Sequence, residues 1–556
     1  MHAFDTHEVR NTVAPFEDVN LYAADPALQE ALLREGGGAD AESLHALGAR
    51  LGRAEVLDLA RLANLHPPKL HNFDRNGKRI DEVEFHPAWH GLMTLLIENG
   101  AHASPWRGGA GAQVARAARY LLFGQVENGS QCPVTMTYAC VPALKQAPKI
   151  AAKWLPKILS AEYDPRSLPI EQKRGAIVGM GMTEKQGGSD VRANTTLAEP
   201  VPLSEARDLF GDDGEDVFRI VGHKWFFSAP QSDAHLILAQ TGDAGLSCFF
   251  LPRYLPDGAR NQIRVQRLKD KLGNRSNASA EVEFTGAYGW LVGKQGRGIP
   301  TILEMGGHTR LDCVLGSAGA IRAALTQALH HARRRVAFGR PLAEQPLMQN
   351  VLADLALESE AATAYAMRLA RCFDQSDDPA QALLARILTP AGKYWICKRG
   401  PAFGAEAMEV VGGSGYVEDG PLARLYRELP VNSIWEGSGN VMCLDLLRAL
   451  GKSPAARDAL AAELMLACKA DAFYIAYKST LLADLAEPQT DEFGARVLAE
   501  RIVLAVQAAL LLQHAPDYVS SAFVASRLKR EPGGAFGRLP AGVDCAAILA
   551  RALIEE

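Results

Sequence analysis

The sequence predicts an α+β protein, mainly α, in four successive regions: an N-terminal helical domain over 1–178, a β domain over 179–290, a helical bundle over 291–448 and an extra helical domain over 449–556. Three observations carry this. A length of 556 residues exceeds what one hydrophobic core organises, so several domains are expected. The apolar period is helical, then alternating over short runs, then helical again. The helical patterns after residue 299 persist for five or more turns, a length that suits a four-helix bundle.

In chain order, AWHGLMTLLIENG and GAQVARAARYLLFGQVENG space apolar residues three and four apart, as amphipathic helices do. Ahead of them, HPPKLHNFDRNGKRIDEVEFHP is rich in Pro, Gly and charge and reads as an excursion over the surface. Between 179 and 290 the stretches FRIVGHKWFFSAP, HLILAQT, LSCFFLP and ASAEVEFTGAY are β-branched and aromatic, with turn residues between them. GSAGAIRAALTQALHHARRRVAF and NVLADLALESEAATAYAMRLARCF then restore the helical period. The last block follows the turn GKSP and holds RVLAERIVLAVQAALLLQHA and SRLKREPGGAFGR.

Charged residues at 22%, apolar residues at 48% and a net charge of −5 are globular values and argue against a chain that is basic throughout. The start, MHAFDTHEVRN, lacks a basic segment followed by an apolar run, and the apolar run Ile502–Leu512 is interrupted by Gln507 and too short for a bilayer. A cytoplasmic protein with no membrane partner is expected. Nine scattered cysteines without a C-x-x-C pair predict reduced thiols and no metal site. Neither G-x-G-x-x-G nor G-x-x-x-x-G-K-[ST] occurs, so any nucleotide must be held by another device.

Three glycine-rich segments stand in order: GMTEKQGGSD at 181–190, EVVGGSGYVEDG at 409–420 and IWEGSGN at 434–440. Extended to GMTEKQGGSDVRA and EVVGGSGYVEDGPLARLYRE, the first two resemble the two signatures of the acyl-CoA dehydrogenase family, and RRVAFGRPL resembles its R-x-x-F-G element. The resemblance covers about residues 60–448. It implies the family's fold, FAD as cofactor, desaturation of an acyl-CoA thioester, and a homo-oligomer, expected to be a tetramer. Glu436 matches the base that removes the proton α to the thioester.

The residues themselves suit these roles. Gly187 and Gly188 leave backbone bare where a flat ring must approach, and Thr183 and Ser189, beside Met182, offer hydroxyls and N–H groups to a flavin edge and phosphate. In the resemblance Phe226 and Ser228 pack on the ring, standing where Trp and Thr are usual. Arg335 aligns with an arginine that reaches the pyrophosphate of a neighbouring subunit's cofactor, within the element that also holds Phe338. Gly412 and Gly413 would close on the adenine side of the same neighbour. Arg333 and Arg334 read as a solvated basic helix face. Ser438 and Asn440 match flavin-touching positions, and both also suit a helix start. Trp435, where Tyr is common, and Arg310, in the unusual context TRLDC, are the substrate candidates.

LYAADPAL, ENGSQCPVTMTYACVPAL, RLKDKLGNRSNASAEVEF and LPVNSIWEGSGNV are similar to the AidB branch of the family, flavoproteins of the bacterial adaptive response to DNA alkylation. This similarity spans the full length. It implies an FAD-containing tetramer that binds double-stranded DNA through its C-terminal module, protects it from alkylating agents and oxidises acyl-CoA weakly. The alternative is a metabolic acyl-CoA dehydrogenase. Residues 451–556 hold eleven Lys or Arg and thirteen Asp or Glu, so only a local patch could meet phosphates. Arg527, Lys529, Arg530 and Arg538, within twelve residues, are the candidates.

Overall fold

The structure, a computed structural model, describes residues 6–467, 471–487, 491–529 and 534–555. The N-terminal part holds α1 (Pro26–Arg34), α2 (Ala41–Leu51), α3 (Ala54–Leu65), β1 (Lys69–Phe73), β2 (Arg79–Glu84), α4 (Pro87–Glu98), α5 (Ala112–Gly124), α6 (Gln131–Leu144) and α7 (Pro148–Ile158). There follow β3 (Val178–Gly181), β4 (Leu197–Pro200), α8 (Leu203–Phe210), β5 (Val217–Ser228), β6 (Ala234–Gln240), β7 (Leu246–Pro252), β8 (Ile263–Leu268) and β9 (Ser279–Val292). Next come α9 (Gly298–Arg334), β10 (Val336–Ala337), β11 (Arg340–Pro341), α10 (Pro346–Asp374), α11 (Pro379–Val411), α12 (Gly413–Tyr416), α13 (Pro421–Glu428) and α14 (Gly439–Lys452). The remaining helices are α15 (Pro454–Met465), α16 (Ala472–Leu485), α17 (Ala495–His514), α18 (Asp517–Arg527) and α19 (Cys545–Ala552). No helix among the described residues is long and apolar enough to cross a membrane. Eight described cysteines are free thiols, seven of them buried.

The chain forms two compact units. The second comprises Asp58–Ala112 and Glu127–Asp312. Its centre is a barrel in the order β3-β6-β4-β5-β9-β7, with β7 also pairing β6 to close the path and β8 lying on β9. Ile220, Phe227, Ile237, Phe249, Leu251 and Phe284 fill it. Every residue of β7 is buried, which is why its sequence, LSCFFLP, is apolar but for Ser247 rather than alternating. Two elements depart from the sequence reading. The segment read as a surface excursion is a β1–β2 hairpin, and Asn72 Nδ2 and Arg79 Nη2 donate to the Val265 carbonyl of β8 at 2.7 and 2.8 Å. It covers an edge strand that would otherwise present bare backbone. The β domain also carries a helix, α8, whose Ala206 and Phe210 pack with Trp290.

The first unit comprises the residues up to Leu57, Gln113–Val126 and Cys313 onward. Its long helices are α10 and α11, each opening with a proline, and Asp378 caps α11 by accepting from the Ala380 N–H. The later helices pack against them through ion pairs: Arg368 with Glu463 at 2.7 Å, buried on both sides, and Arg551 with Glu360 at 2.9 Å, partly buried. Arg333 is not a solvated residue as the sequence suggested. Its guanidinium donates to the carbonyls of Leu549 and Leu553 at 2.7 and 2.8 Å, ending α19 against α9, while Arg334 pairs with Glu555. A cation on the last carbonyls of a helix satisfies acceptors that the helix cannot.

Candidate active site

In the second unit, the backbone N–H of Trp225 donates to the Thr183 carbonyl at 2.8 Å, bringing the loop of Met182, Thr183, Gly188 and Ser189 to the strand that carries Phe226 and Ser228. The loop is anchored from below by Glu184. This fully buried carboxylate accepts from Lys224 Nζ at 2.7 Å, Thr196 Oγ1 at 2.6 Å and Thr195 Oγ1 at 3.0 Å. Burial would raise its pKa, but the Lys224 ammonium, the Thr196 hydroxyl and the Thr195 backbone N–H hold it down at about 2. A depressed carboxylate pKa stabilises the fold fully above about pH 4.5, and that contribution is lost as pH falls towards about 2. The urea midpoint should therefore fall with acid in this window, and Glu184→Gln should show a shallower fall; an identical acid limb would remove this role.

A register shift between Lys224 and Phe227 in the β5–β9 ladder inserts one extra residue. Strict alternation would have turned Phe226 inward beside Lys224. The bulge instead buries Phe227 and leaves Phe226 51% exposed, with the Lys269 ammonium 4.8 Å from its ring. Gly187, at φ +143, has nothing within 4 Å of where a Cβ would stand, whereas a Cβ on Gly188 would reach Thr183 Oγ1 at 2.4 Å. Among the described residues, the hydroxyls of Thr183, Ser189 and Ser228 are not engaged by protein groups. Bare backbone, open space, an exposed ring and uncommitted hydroxyls fit a flavin.

In the first unit, Glu436 sits half-buried in the turn before α14 at φ +58, followed by Gly437 at φ +101. A left-handed glutamate costs about 1–3 kcal/mol and persists only if its surroundings hold it. They do. Lys393, buried within α11, donates from Nζ to the carbonyls of Asn432 at 3.1 Å and Gly437 at 2.6 Å, which bracket the glutamate. Asn432 donates to Ser317 Oγ at 3.1 Å and accepts from the Trp435 indole at 2.9 Å. Ser438 is the N-cap of α14, yet its side chain makes no capping bond.

Comparison with known proteins bears on both sites. Residues 11–165 match the family model of the adaptive response protein AidB N-terminal domain, 179–287 the acyl-CoA dehydrogenase middle domain, and 296–451 the acyl-CoA dehydrogenase C-terminal domain. Escherichia coli AidB is 52% identical over 519 residues, 93% of each chain. The chain belongs to the acyl-CoA dehydrogenase superfamily, in its AidB branch. Acyl-CoA dehydrogenases are oxidoreductases and typically FAD-dependent. The Caenorhabditis elegans acyl-CoA dehydrogenase family member 11 is 31% identical over 77% of this chain and 70% of its own. The structure of Caenorhabditis elegans ACDH-11 in complex with C11-CoA superimposes with a TM-score of 0.84 at 26% identity, covering 96% of each chain.

Other residues singled out in this member of the acyl-CoA dehydrogenase superfamily fall in the same two units. Phe338 and Gly339, at φ +53 and +84, form the tip of the β10–β11 hairpin, and Phe338 is 97% exposed. Arg335 is exposed and donates to the Asn11 carbonyl. Gly412, at φ +70, ends α11, and it and Gly413 have open space where a Cβ would stand. Asn440 Oδ1 accepts from Arg496 Nε at 2.9 Å, a partner on α17 that the sequence did not indicate. Arg310 lies half-buried on α9 in the second unit. The C-terminal basic cluster does not stand as expected. Arg527 faces inward, its side chain 12% exposed, paired with Asp354 at 2.5 Å and Glu358 at 3.1 Å. Lys529 is exposed with its ammonium 4.5 Å from the Phe473 ring, Arg538 is exposed, and Arg530 lies outside the described residues.

Sequence reasoning missed Lys393, Glu184 and Lys224. The only local signal for Lys393 was a lone lysine in the otherwise apolar stretch LTPAGKYWIC.

Proposed function

We propose that this chain is a homotetrameric FAD flavoprotein of the alkylation response that binds double-stranded DNA in the cytoplasm and shields it from alkylating agents, with slow residual acyl-CoA oxidation. The observation that carries this reading is the identity with Escherichia coli AidB, which extends over 93% of the chain and so includes helices beyond the acyl-CoA dehydrogenase bundle. In this reading FAD rests on Met182, Thr183, Gly188, Ser189, Phe226, Ser228, Ser438 and Asn440, with Arg335, Phe338, Gly412 and Gly413 serving the neighbouring subunit. An almost fully exposed Phe338 at a turn tip is a surface that water disfavours and a partner subunit would cover. Bound FAD supplies a two-electron hydride acceptor. Glu436 removes the proton α to a thioester carbonyl, and its half-buried, clamped position keeps the carboxylate oriented without stripping it wholly of solvent. In this reading Trp435 and Arg310 contact the substrate.

The second reading, a metabolic acyl-CoA dehydrogenase without a DNA role, is favoured by the intact Glu436 turn and by the likeness to ACDH-11 solved with C11-CoA. Anaerobic mixing with short, branched and long acyl-CoAs, followed by flavin absorbance, separates the two when set beside a DNA titration at several salt concentrations. Slow or absent bleaching with DNA affinity that falls steeply as salt rises supports the first reading. Fast bleaching by one thioester without salt-sensitive DNA binding supports the second. Within the first reading, Lys529 and Arg538 replace Arg527 as the leading phosphate contacts. Lys529→Glu with Arg538→Glu should weaken DNA binding and reduce the log–log salt slope by roughly two; unchanged affinity and slope would remove this patch.

A further inference from the structure

We infer that the second unit carries a binding site for a small organic cation with an apolar body, in a cavity of about 160 Å3 walled by Trp154, Phe250, Tyr254 and Trp290. The cavity lies where α7 meets the ends of β7 and β9, and none of the residues assigned above to flavin, base or DNA lines it. Its walls are fixed by their own contacts. Trp154 meets Phe250 edge-on with ring centroids 4.8 Å apart, and the Trp290 indole donates to the Asp213 carbonyl at 2.6 Å. Held rings keep the space open. A cavity of about 150 Å3 with apolar walls admits benzene, so this one has room for a single aromatic or branched aliphatic group.

The rim decides the charge. Lys149 pairs with Glu215 at 2.6 Å, and Lys153 bridges Glu171 at 2.9 Å and Asp213 at 2.8 Å. Asp216, also on the lining, has no ion-pair partner among the described residues. Four carboxylates therefore face two ammonium groups and the Arg207 guanidinium, which lies 3.8 Å from Glu215, an excess of one negative charge. An anion would meet this excess unfavourably, a neutral ligand would gain only apolar burial, and a cation gains both the carboxylate field and the aromatic faces.

The test uses the full chain as purified, with phenyltrimethylammonium, its neutral isostere tert-butylbenzene, and benzoate as probes in ligand-observed NMR titrations. The cation should bind roughly tenfold more tightly than the isostere, and benzoate should not bind. Asp216 stands at φ +55, a conformation Asn also adopts, so Asp216→Asn should keep the fold, weaken the cation several-fold and leave the isostere unchanged. Ile150→Trp, which extends an indole from the lining, should remove binding of both. Thermal unfolding without ligand checks that each variant folds; if Ile150→Trp does not, the cation-to-isostere ratio and Asp216→Asn carry the test. Equal or tighter binding of the isostere, no saturable binding of the cation at millimolar concentration, or undiminished binding in a folded Ile150→Trp would overturn the proposal.

Discussion

Glu436→Gln should reduce acyl-CoA oxidation by about 10²–10⁴-fold, the range that a positioned general base supplies, while leaving the fold and flavin content intact. Glutamine has the same length and accepts the same left-handed backbone strain, so the substitution removes the proton affinity while keeping a side chain of the same shape. Lys393 bonds the carbonyls of residues 432 and 437 rather than the carboxylate, so the clamp survives the change. The measurement is anaerobic flavin bleaching by whichever acyl-CoA bleaches the wild type, alongside thermal unfolding of both proteins. Full-rate bleaching in the variant would show that another group takes the proton. Retained folding with lost bleaching would leave DNA affinity as a separate readout, and in the DNA-shielding reading that affinity should not change.

Arg527→Met should destabilise the protein by about 3–5 kcal/mol, because it takes the Arg527 cation from buried Asp354 and leaves buried Glu358 with Arg399 alone. Glu358 is 7% exposed and Asp354 3%. Burial pushes Glu358 towards protonation, and Arg399 and Arg527 together keep it below the usual carboxylate range. Removing one of these two cations leaves the other to serve it alone. The lost stability should appear as a lower urea midpoint, whereas the salt slope of DNA binding should stay at the wild-type value, since an internal guanidinium releases no counterions from phosphate. Asp354→Asn placed in the Arg527→Met protein should recover part of the loss, because a neutral amide oxygen still accepts from the Gly537 N–H, which lies 2.9 Å from Asp354 Oδ2. A salt slope lowered by about one unit, with stability unchanged, would restore Arg527 to the surface.

What the sequence made legible was periodic or contiguous. Helices α9, α10 and α17 announce themselves by repeated apolar spacing, and the segments around Gly188, Gly413 and Glu436 by runs of matching residues. What it hid depends on partners far along the chain. The β1–β2 hairpin is polar because one face is solvated and its role is to cover β8, so its strands lack the apolar alternation that would betray them. The bulge that turns Phe226 outward is a property of two strands together and leaves no trace in one of them. Arg333 and Arg527 look like surface charge because an ion pair or carbonyl contact closing over some two hundred residues has no local signature. The same holds for Lys393, whose partners lie about forty residues downstream.

The ties that close on α19 also bear on biosynthesis. Arg551 reaches back to Glu30 on α1 and Glu360 on α10, Arg322 of α9 donates to the Ala552 carbonyl, and Arg333 holds Leu549 and Leu553. The first unit is thus assembled from three stretches of chain, with the second inserted between them. The second unit is complete in sequence by residue 312 and can fold while the ribosome is still translating. Helices α9 and α10 must wait for residues 545–555 before Arg333 and Glu360 meet these partners. Until then they expose apolar surface, and nascent chains stalled before this segment should be the ones that chaperones hold.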